Sequence, residues 1–391
     1  MYYKKYIFFK FITICRIIIP LKINIVNPIL YSFNNLYIFL NKIRDYTIKG
    51  ECTYMNNRVG RRTVFFENTP YIKETASIVG VKEGEGPLSE SFDEILKDDT
   101  FGAQTWEASE SKIQHQLMAV ALSKAKMNPE DIDFVLAGDL MNQCVATHYG
   151  IRDYNIPFIG MYGACSTMTE SISVASMLVA GGFAKNAAAM TSSHFCSAEK
   201  QFRYPLEYGG QRAPAAQWTV TGGGCAIITS EPANLKITHV TIGKIVDLGI
   251  TDISNMGSAM APAAIDTLEA LFEDTGTTPK DYDGIFTGDL GVVGSEILVE
   301  KLGEDGYDIE GVHNDCGKMI FDIESQDVHS GGSGCGCMGS VLCGHILKEM
   351  KNGKYNKIIA MATGALMNPT VVLQGESIPG IAHAVVIERS I

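Results

Sequence analysis

The segment GACST at 163–167 contains the side chain best suited to covalent chemistry in this chain. Cys165 lies between the apolar stretch IPFIG at 156–160 and a helix-like stretch at 167–180, so its thiol is expected at a strand-to-helix turn. There the positive end of the helix dipole favours the thiolate and lowers the cysteine pKa. Cys165 is therefore a candidate nucleophile. A crowded turn that simply requires small side chains is the alternative interpretation of the same spacing.

The elements around this turn form part of an internal repeat. Residues 129–140 read PEDIDFVLAGDL and residues 279–290 read PKDYDGIFTGDL, an offset of 150 positions. A solenoid repeat has a period of roughly 20–50 residues, so this spacing indicates a duplicated domain instead. The apolar strands AAAMTSS at 187–193 and IIAMATG at 358–364 repeat at an offset of 171. Each half thus follows the order strand, turn, helix, strand.

Hydrophobic periodicity and turn residues predict alternating strands and helices after residue 55. The predicted strands are 62–66, 76–81, 133–138, 187–192, 224–229, 236–247, 284–287, 357–363 and 382–388. The predicted helices are 111–126, 167–180, 261–274, 294–302 and 339–351. Such alternation indicates largely parallel sheets covered by helices, which is a layered α/β architecture.

Composition excludes several classes of function. The net charge of −12, with no Lys/Arg run after residue 62, argues against nucleic acid as a partner. The ten cysteines are interpreted as reduced intracellular thiols. The CxC at 335–337 lacks a second pair at zinc spacing, so no metal site is expected. The Gly-rich segments 221–225 and 331–339 match no nucleotide-binding pattern, and no cofactor is expected.

Residues 1–54 have a different composition, rich in Ile, Tyr, Phe, Asn and Lys. Lys10 and Arg16 interrupt the first apolar stretch, and no run of about 20 apolar residues suited to a membrane span is present. We interpret 1–54 as an N-terminal extension outside the folded domains, that is, as upstream sequence before a true start at Met55. A weak membrane-associating segment is the alternative.

Four segments carry a resemblance to a known family: GRRTVFFENTPYI at 60–72, MYGACSTM at 161–168, the run at 191–214, and HNDCGKMIFD at 313–322. They resemble the stage V sporulation protein AD family, within the thiolase superfamily. The resemblance implies a duplicated thiolase-like fold, with two related mixed sheets in an α-β-α-β-α arrangement. Its two halves would span residues 55–232 and 233–391.

The resemblance also implies a function without catalysis. Members of this family are expected to bind dipicolinic acid (pyridine-2,6-dicarboxylate), or its calcium complex, for uptake into the developing spore. The expected partners are other proteins of the uptake complex and a second copy of the chain in a homodimer. The expected location is peripheral at the spore inner membrane. The alternatives are an acyl-thioester condensing enzyme or thiolase using Cys165, and a structural scaffold of a spore membrane complex.

The residues around the second-half turn argue against acyl transfer. Condensing enzymes similar to this chain use a His after the second-half strand, and a further His or Asn, to hold the thioester oxygen. Here the strand ends in FTGDLGVVG, which offers Asp289, and the corresponding turn within 329–336 offers Gly. A carboxylate would repel the oxyanion. His329 is the remaining candidate for a substitute.

A dicarboxylate ligand needs hydroxyl or amide donors and a cation, preferably a guanidinium. TSSH at 191–194 ends a strand beside the Cys165 cleft, and alternation along the strand should turn either Ser192 or Ser193 toward that cleft. The alternative for each serine is a hydrogen bond that closes the strand end without contacting a ligand. The alternative for His194 is a structural role.

A loop unusually basic for this acidic chain follows TSSH and contains Lys200, Arg203 and Arg212. A solvated surface or a dimer contact is the alternative for each cation. The predicted ligand-binding set is Cys165, Ser192, Ser193, His194, Arg203 and Arg212.

Overall fold

A computed structural model describes residues 57–202 and 212–390 of the chain. The predicted extension 1–54, the proposed start at Met55 and the candidate Arg203 lie outside these described residues.

The strands agree in place with those expected from the sequence, and several short strands are added. They are β1 (Arg58–Val59), β2 (Thr63–Phe65), β3 (Tyr71–Val79), β4 (Glu94–Ile95), β5 (Phe134–Gly138), β6 (Phe158–Gly160), β7 (Asn186–Ser193), β8 (Trp218–Thr219), β9 (Gly222–Thr229), β10 (Leu235–Ile242), β11 (Gly284–Thr287), β12 (His313–Asp315), β13 (Gly332–Ser333), β14 (Lys357–Ala365) and β15 (Gly380–Arg389).

The helices alternate with these strands. They are α1 (Val81–Gly84), α2 (Trp106–Ala125), α3 (Val145–Ile151), α4 (Thr167–Ala180), α5 (Phe195–Phe202), α6 (Met256–Thr275), α7 (Gly291–Glu304), α8 (Cys316–Met319), α9 (Cys335–Val341), α10 (Leu347–Lys351) and α11 (Pro369–Leu373). A π-helical turn, Leu342–Ile346, joins α9 to α10.

The main sheet contains two sets of five strands with the same internal order. The path runs β12-β11-β14-β15-β10 and continues as β3-β9-β7-β5-β6. Numbered along the chain within each half, both sets have the order 3-2-4-5-1 from the outer edge inward. The sets join through β10 and β3, where Leu235 lies opposite Ile72 in an antiparallel pair. The predicted duplicated α/β fold is therefore confirmed, and its two sheets meet along one pair of strands.

The helices form three layers around these sheets. Helix α4 contacts β5 and β7 of the first half and β14 and β15 of the second, so it lies between the two sheets together with α9. Helices α2 and α3 cover the outer face of the first sheet, and α6 and α7 cover that of the second. The apolar stripe predicted on α4 is confirmed, since Met168, Ile172, Ala175 and Val179 all lie in the main hydrophobic core. The result is the expected α-β-α-β-α arrangement.

The repeated aspartates in PEDID and PKDYD have the same structural role in both halves. Asp133 accepts the backbone N–H groups of residues 185 and 186 at 2.6 and 3.0 Å. Asp283 accepts those of residues 356 and 357 at the same distances. These targets are 171 positions apart, which is the offset of the repeated strands. Each aspartate therefore fixes the start of β7 or β14 beside the start of β5 or β11.

Several element boundaries differ from the prediction. The strand expected over 236–247 ends at Ile242. At the next position a Cβ would lie 1.8 Å from the Ala382 carbonyl oxygen, so the close approach there requires Gly243. The helix expected over 339–351 begins at Cys335 within the Gly-rich segment. The helix expected to start at 111 starts at Trp106, because the Thr105 hydroxyl caps it by accepting the N–H of Ala108 at 3.2 Å.

Candidate functional site

Cys165 occupies the strand-to-helix turn that the sequence predicts. It follows β6 and precedes α4, and Ala164 takes a left-handed conformation with φ of 51°. The Ser166 hydroxyl donates to the Gly163 carbonyl at 2.7 Å, and the Thr167 hydroxyl donates to the Ala164 carbonyl at the same distance. These local bonds close the turn, which explains why small and hydroxylated residues surround the thiol.

The expectation of an activated Cys165 thiolate is wrong. Burial raises the pKa of the Cys165 thiol well above its usual range, and Asp289 raises it further as a neighbouring charge and hydrogen-bond acceptor. A helix end carries only about half an elementary charge. That partial charge does not offset the burial of the thiol and the adjacent carboxyl group. The thiol therefore stays protonated and donates to Asp289.

Asp289 is the carboxyl group that contacts the Cys165 thiol. It is fully buried, and its oxygens accept the Thr363 hydroxyl at 2.7 Å and the Gly334 N–H at 3.1 Å, in addition to the Cys165 thiol. Burial raises the pKa of Asp289 to about 7, against the lowering effect of these hydrogen bonds. The second-half strand end and the Gly-rich turn thus meet at Cys165, as the sequence predicts.

A small cavity of about 30 Å³ opens beside Cys165. Its walls include the apolar side chains of Leu140, Met256 and Met367 and the polar side chains of Glu199 and Thr219. The Thr219 hydroxyl donates to Glu199 at 2.9 Å. The cavity therefore combines an apolar wall with a few polar groups, as small-molecule sites commonly do.

The two serines point to opposite sides of β7, but neither lines this cavity. The Ser192 hydroxyl donates to Glu110 on helix α2 at 3.0 Å. The Ser193 hydroxyl donates to the Val220 carbonyl at 2.7 Å and accepts the Gly336 N–H at 3.0 Å. Both are fully buried. The expectation that one hydroxyl opens toward the cleft is therefore wrong in this structure, and Ser193 instead supports the Gly-rich turn.

His194 has a structural environment. Its Nε2 donates to the Asp99 carbonyl at 2.7 Å, and its Nδ1 accepts the Cys196 N–H at 3.2 Å. Burial lowers the pKa of His194. Both ring nitrogens are thus occupied on the side of Asp99 and Trp106, whose ring centroid lies 5.6 Å away.

The predicted cations are separated from the cavity lining as far as they are described. Arg212 pairs with Asp327 at 3.5 Å and lies over Trp218, with its guanidinium carbon 4.8 Å from the ring centroid. Lys200 forms an ion pair with Glu107. Neither is a cavity-lining residue. Arg203 is outside the described residues, and its role stays a prediction.

His329, the candidate for a substitute histidine, makes its hydrogen bonds to other groups than Cys165. Its Nδ1 donates to the Ala213 carbonyl at 2.8 Å, and its Nε2 lies 3.1 Å from a carboxylate oxygen of Asp327. The two cysteines of the CxC also point to separate acceptors: Cys335 to the Ser192 carbonyl at 2.9 Å and Cys337 to the Gly288 carbonyl at 3.3 Å.

Sequence reasoning missed Glu199 and Thr219 as cavity residues. Glu199 follows TSSH by one helical turn and a half in α5, and Thr219 lies on the two-residue strand β8, which pairs with β13. A strand this short leaves no periodic signal. The carboxylate in an otherwise apolar helix start is the only clue in the sequence. In the described parts of the chain, no group of three His, Cys, Asp or Glu side chains is placed to hold a metal ion.

Comparisons with known proteins identify the family of this chain. The family model for stage V sporulation protein AD matches residues 60–388. The chain is 48% identical over 331 residues to stage V sporulation protein AD of Bacillus subtilis (strain 168), covering 85% of this chain and 98% of the relative. Among the helices of the described residues, none has the length and apolar character needed to cross a membrane.

Solved structures show the same fold at low identity. A single-residue variant of OleA from Xanthomonas campestris is 13% identical with a TM-score of 0.56, covering 83% of this chain and 97% of that one. The tetronic acid condensing enzyme AbyA1 is 15% identical with a TM-score of 0.53, covering 82% of this chain and all of that one. The human mitochondrial 3-ketoacyl-CoA thiolase is 14% identical with a TM-score of 0.50, covering 82% and 98%. The chain therefore has a thiolase-like fold and belongs to the stage V sporulation protein AD family.

Proposed function

We propose that this protein is a non-catalytic thiolase-like protein of endospore formation that binds dipicolinic acid for uptake into the developing spore. Membership of a sporulation family supports the biological setting. The observation that carries the proposal is the contact between Cys165 and Asp289. In that contact the buried thiol donates to a carboxyl group, so the residue that would attack a thioester is held in its unreactive form.

The same contact removes the second requirement of acyl transfer. A tetrahedral intermediate needs hydrogen-bond donors aimed at its oxyanion. Asp289 presents acceptor oxygens at the thiol, and ionised Asp289 would repel the developing charge. Within the described residues, no histidine hydrogen-bonds to Cys165, and His329 is held by Ala213 and Asp327 instead. These observations favour binding over condensation.

A pyridine dicarboxylate would enter the cavity beside Cys165. The cavity of about 30 Å³ holds roughly one water molecule, so the ligand requires the walls to move apart. Met256 and Met367 are suited to this because methionine side chains are unbranched and adapt to irregular shapes. The Cys165 thiol and the Thr219 hydroxyl would supply donors. Arg203 is proposed as the guanidinium partner of one carboxylate.

We also propose the partners of this protein and its location in the spore. The ligand is dipicolinic acid or its calcium complex, the chain forms a homodimer, and it joins other proteins of the uptake complex at the spore inner membrane as a peripheral member.

The test is calorimetry with the full chain. Dipicolinate should bind, and pyridine-2-carboxylate, which lacks one carboxylate, should bind at least about tenfold more weakly, since a charge-assisted hydrogen bond contributes roughly 1.5–3 kcal/mol. Cys165→Leu should abolish binding by filling the cavity. Cys196→Leu makes the same change outside the cavity lining and should preserve binding.

Other outcomes would replace the proposal. Equal affinity for both acids, or equal loss in the two leucine variants, would place the site elsewhere. Absence of binding with either acid would favour the scaffold. Condensation of acetyl-coenzyme A with a malonyl thioester, abolished by Cys165→Ala, would favour the condensing enzyme.

A further inference from the structure

The titratable groups that line the proposed ligand site, or lie directly behind it, include carboxyl groups and thiols. Asp289 lies directly behind Cys165, and Glu199 lines the cavity. Asp315, the last residue of β12, raises the pKa of Asp289, and Asp289 in turn raises the pKa of the Cys316 and Cys337 thiols. The largest influences on the pKa of Asp289 are burial, the Thr363 hydroxyl, the Cys165 thiol, the Asp315 carboxyl and the Gly334 N–H, and none of these is a cation. A dianionic ligand therefore meets carboxyl groups at this wall.

The donors that hydrogen-bond to Asp289 are neutral groups. The hydroxyl of Thr363, the N–H of Gly334 and the thiol of Cys165 stabilise its ionised form. A carboxylate placed beside Cys165 would be close to the Asp289 carboxylate in a buried, poorly screened environment. Two negative charges close together in a buried environment repel each other strongly, so either the ligand carboxylate or Asp289 must take up a proton.

Protonation of Asp289 also changes what Cys165 can do. The Thr363 hydroxyl can rotate from donor to acceptor, which accommodates a proton on the facing Asp289 oxygen. Gly334 still donates to the other oxygen at 3.1 Å. Protonated Asp289 no longer needs the hydrogen bond from the Cys165 thiol. The S–H group can then turn toward the cavity and donate to a ligand carboxylate.

We propose that Asp289 makes ligand binding proton-linked, so that each carboxylate ligand enters the cavity together with one proton held on Asp289. This inference rests on the proposed function, because it takes the ligand site to be the cavity beside Cys165. It assigns Asp289 as a positioning residue, acting through Cys165. The pKa of about 7 for Asp289 supports it, since the proton is then exchanged near neutral pH.

The expected size of the effect follows from linkage. If only protonated Asp289 accepts the ligand, affinity should be nearly full at pH 6, fall about tenfold by pH 8, and fall about tenfold again by pH 9. Ordinary carboxylic acids titrate near pH 4, so the ligand's own ionisation does not contribute over this range. Proton uptake should be about one-half per ligand at pH 7 and close to one at pH 8.

The experiment is calorimetric titration of the full chain with dipicolinate at pH 6, 7, 8 and 9, in two buffers with different ionisation enthalpies. Asp289→Asn, which mimics the protonated carboxyl, should bind without proton uptake and with affinity independent of pH. Glu199→Gln should keep the proton uptake. Thr363→Val removes a hydrogen bond that lowers the Asp289 pKa, so its loss of affinity should begin at higher pH.

Each alternative result has a definite meaning. Wild-type binding without proton uptake would overturn the inference and leave the proposed function intact. Proton uptake that persists in Asp289→Asn but disappears in Glu199→Gln would overturn it by assigning the proton to Glu199. If Asp289→Asn does not fold, an unshifted pH dependence in Thr363→Val would overturn it. Absence of wild-type binding at every pH would overturn the proposed function itself.

Discussion

Glu83 should make the protein less stable as the pH rises through neutrality. This side chain is fully buried in the short helix α1, and its carboxyl accepts the Thr221 N–H at 2.9 Å. Burial raises the pKa of Glu83 to about 8, and the nearby Asp99 contributes in the same direction. In the unfolded chain, the same group titrates near pH 4. A raised folded-state pKa contributes stability that is complete below pH 4 and lost as the pH rises through about 8.

The magnitude follows from these two pKa values. Between pH 6 and pH 8 the unfolded chain has lost the Glu83 proton, while the folded chain still holds most of it. Integration of the linkage relation over this interval gives a loss of about 2 kcal/mol from Glu83 alone. For a chain of this length, that corresponds to a fall in Tm of a few degrees.

The assay is thermal unfolding followed by circular dichroism at pH 6, 7 and 8. Glu83→Gln keeps the shape and the acceptor oxygen but cannot ionise, so its Tm should fall less between pH 6 and 8 than that of the wild type. Glu85→Gln changes an exposed glutamate two residues away and should retain the wild-type pH dependence. Equal pH dependence in wild type and Glu83→Gln would refute the reasoning.

Two further results are expected. First, iodoacetamide at pH 7.5, about one unit below the pKa of a free thiol, should alkylate Cys165 at least tenfold more slowly than Cys196, as measured by peptide mapping. Cys165 is more deeply buried and faces Asp289. Equal rates would contradict the assignment of a protonated Cys165 thiol. Second, Asp133→Ala and Asp283→Ala should lower the free energy of unfolding by similar amounts, about 1–3 kcal/mol each, measured by denaturant unfolding. Each substitution removes two backbone hydrogen bonds to a charged group. A loss of stability in only one variant would show that the two aspartates are not structurally equivalent.

Local pattern was sufficient to predict most of the fold. The repeated PxDxD segments, the offset of the apolar strands and the period of helix α4 each depend on neighbouring residues, and each is confirmed in the structure. The boundaries at Ile242 and Cys335 differ from the prediction, and local pattern does not reveal the contacts between distant segments that surround them. Gly243, for example, is constrained by the backbone of residue 382.

The candidate site was predicted in part. The resemblance to thiolases implied that Asp289 and the Gly-rich turn lie near Cys165, and the structure agrees. The prediction that Ser192 or Ser193 faces the cleft was wrong. Alternation along a strand places the two side chains on opposite faces, but it does not say which groups lie against each face. Their partners, Glu110 and the Gly-rich turn, come from a preceding helix and from the other half of the chain.

The sequence by itself determined the duplicated architecture and the position of Cys165 at a helix start, because these depend on periodicity, repeats and local turn residues. The family followed from four segments that resemble it. Only the tertiary structure decided the chemical state of that thiol. The helix dipole is a local property that favours the thiolate, whereas burial and the contact with Asp289 arise when the two halves pack together. Those tertiary effects are larger, so the same cysteine that resembles a nucleophile in the sequence is a protonated hydrogen-bond donor in the folded protein.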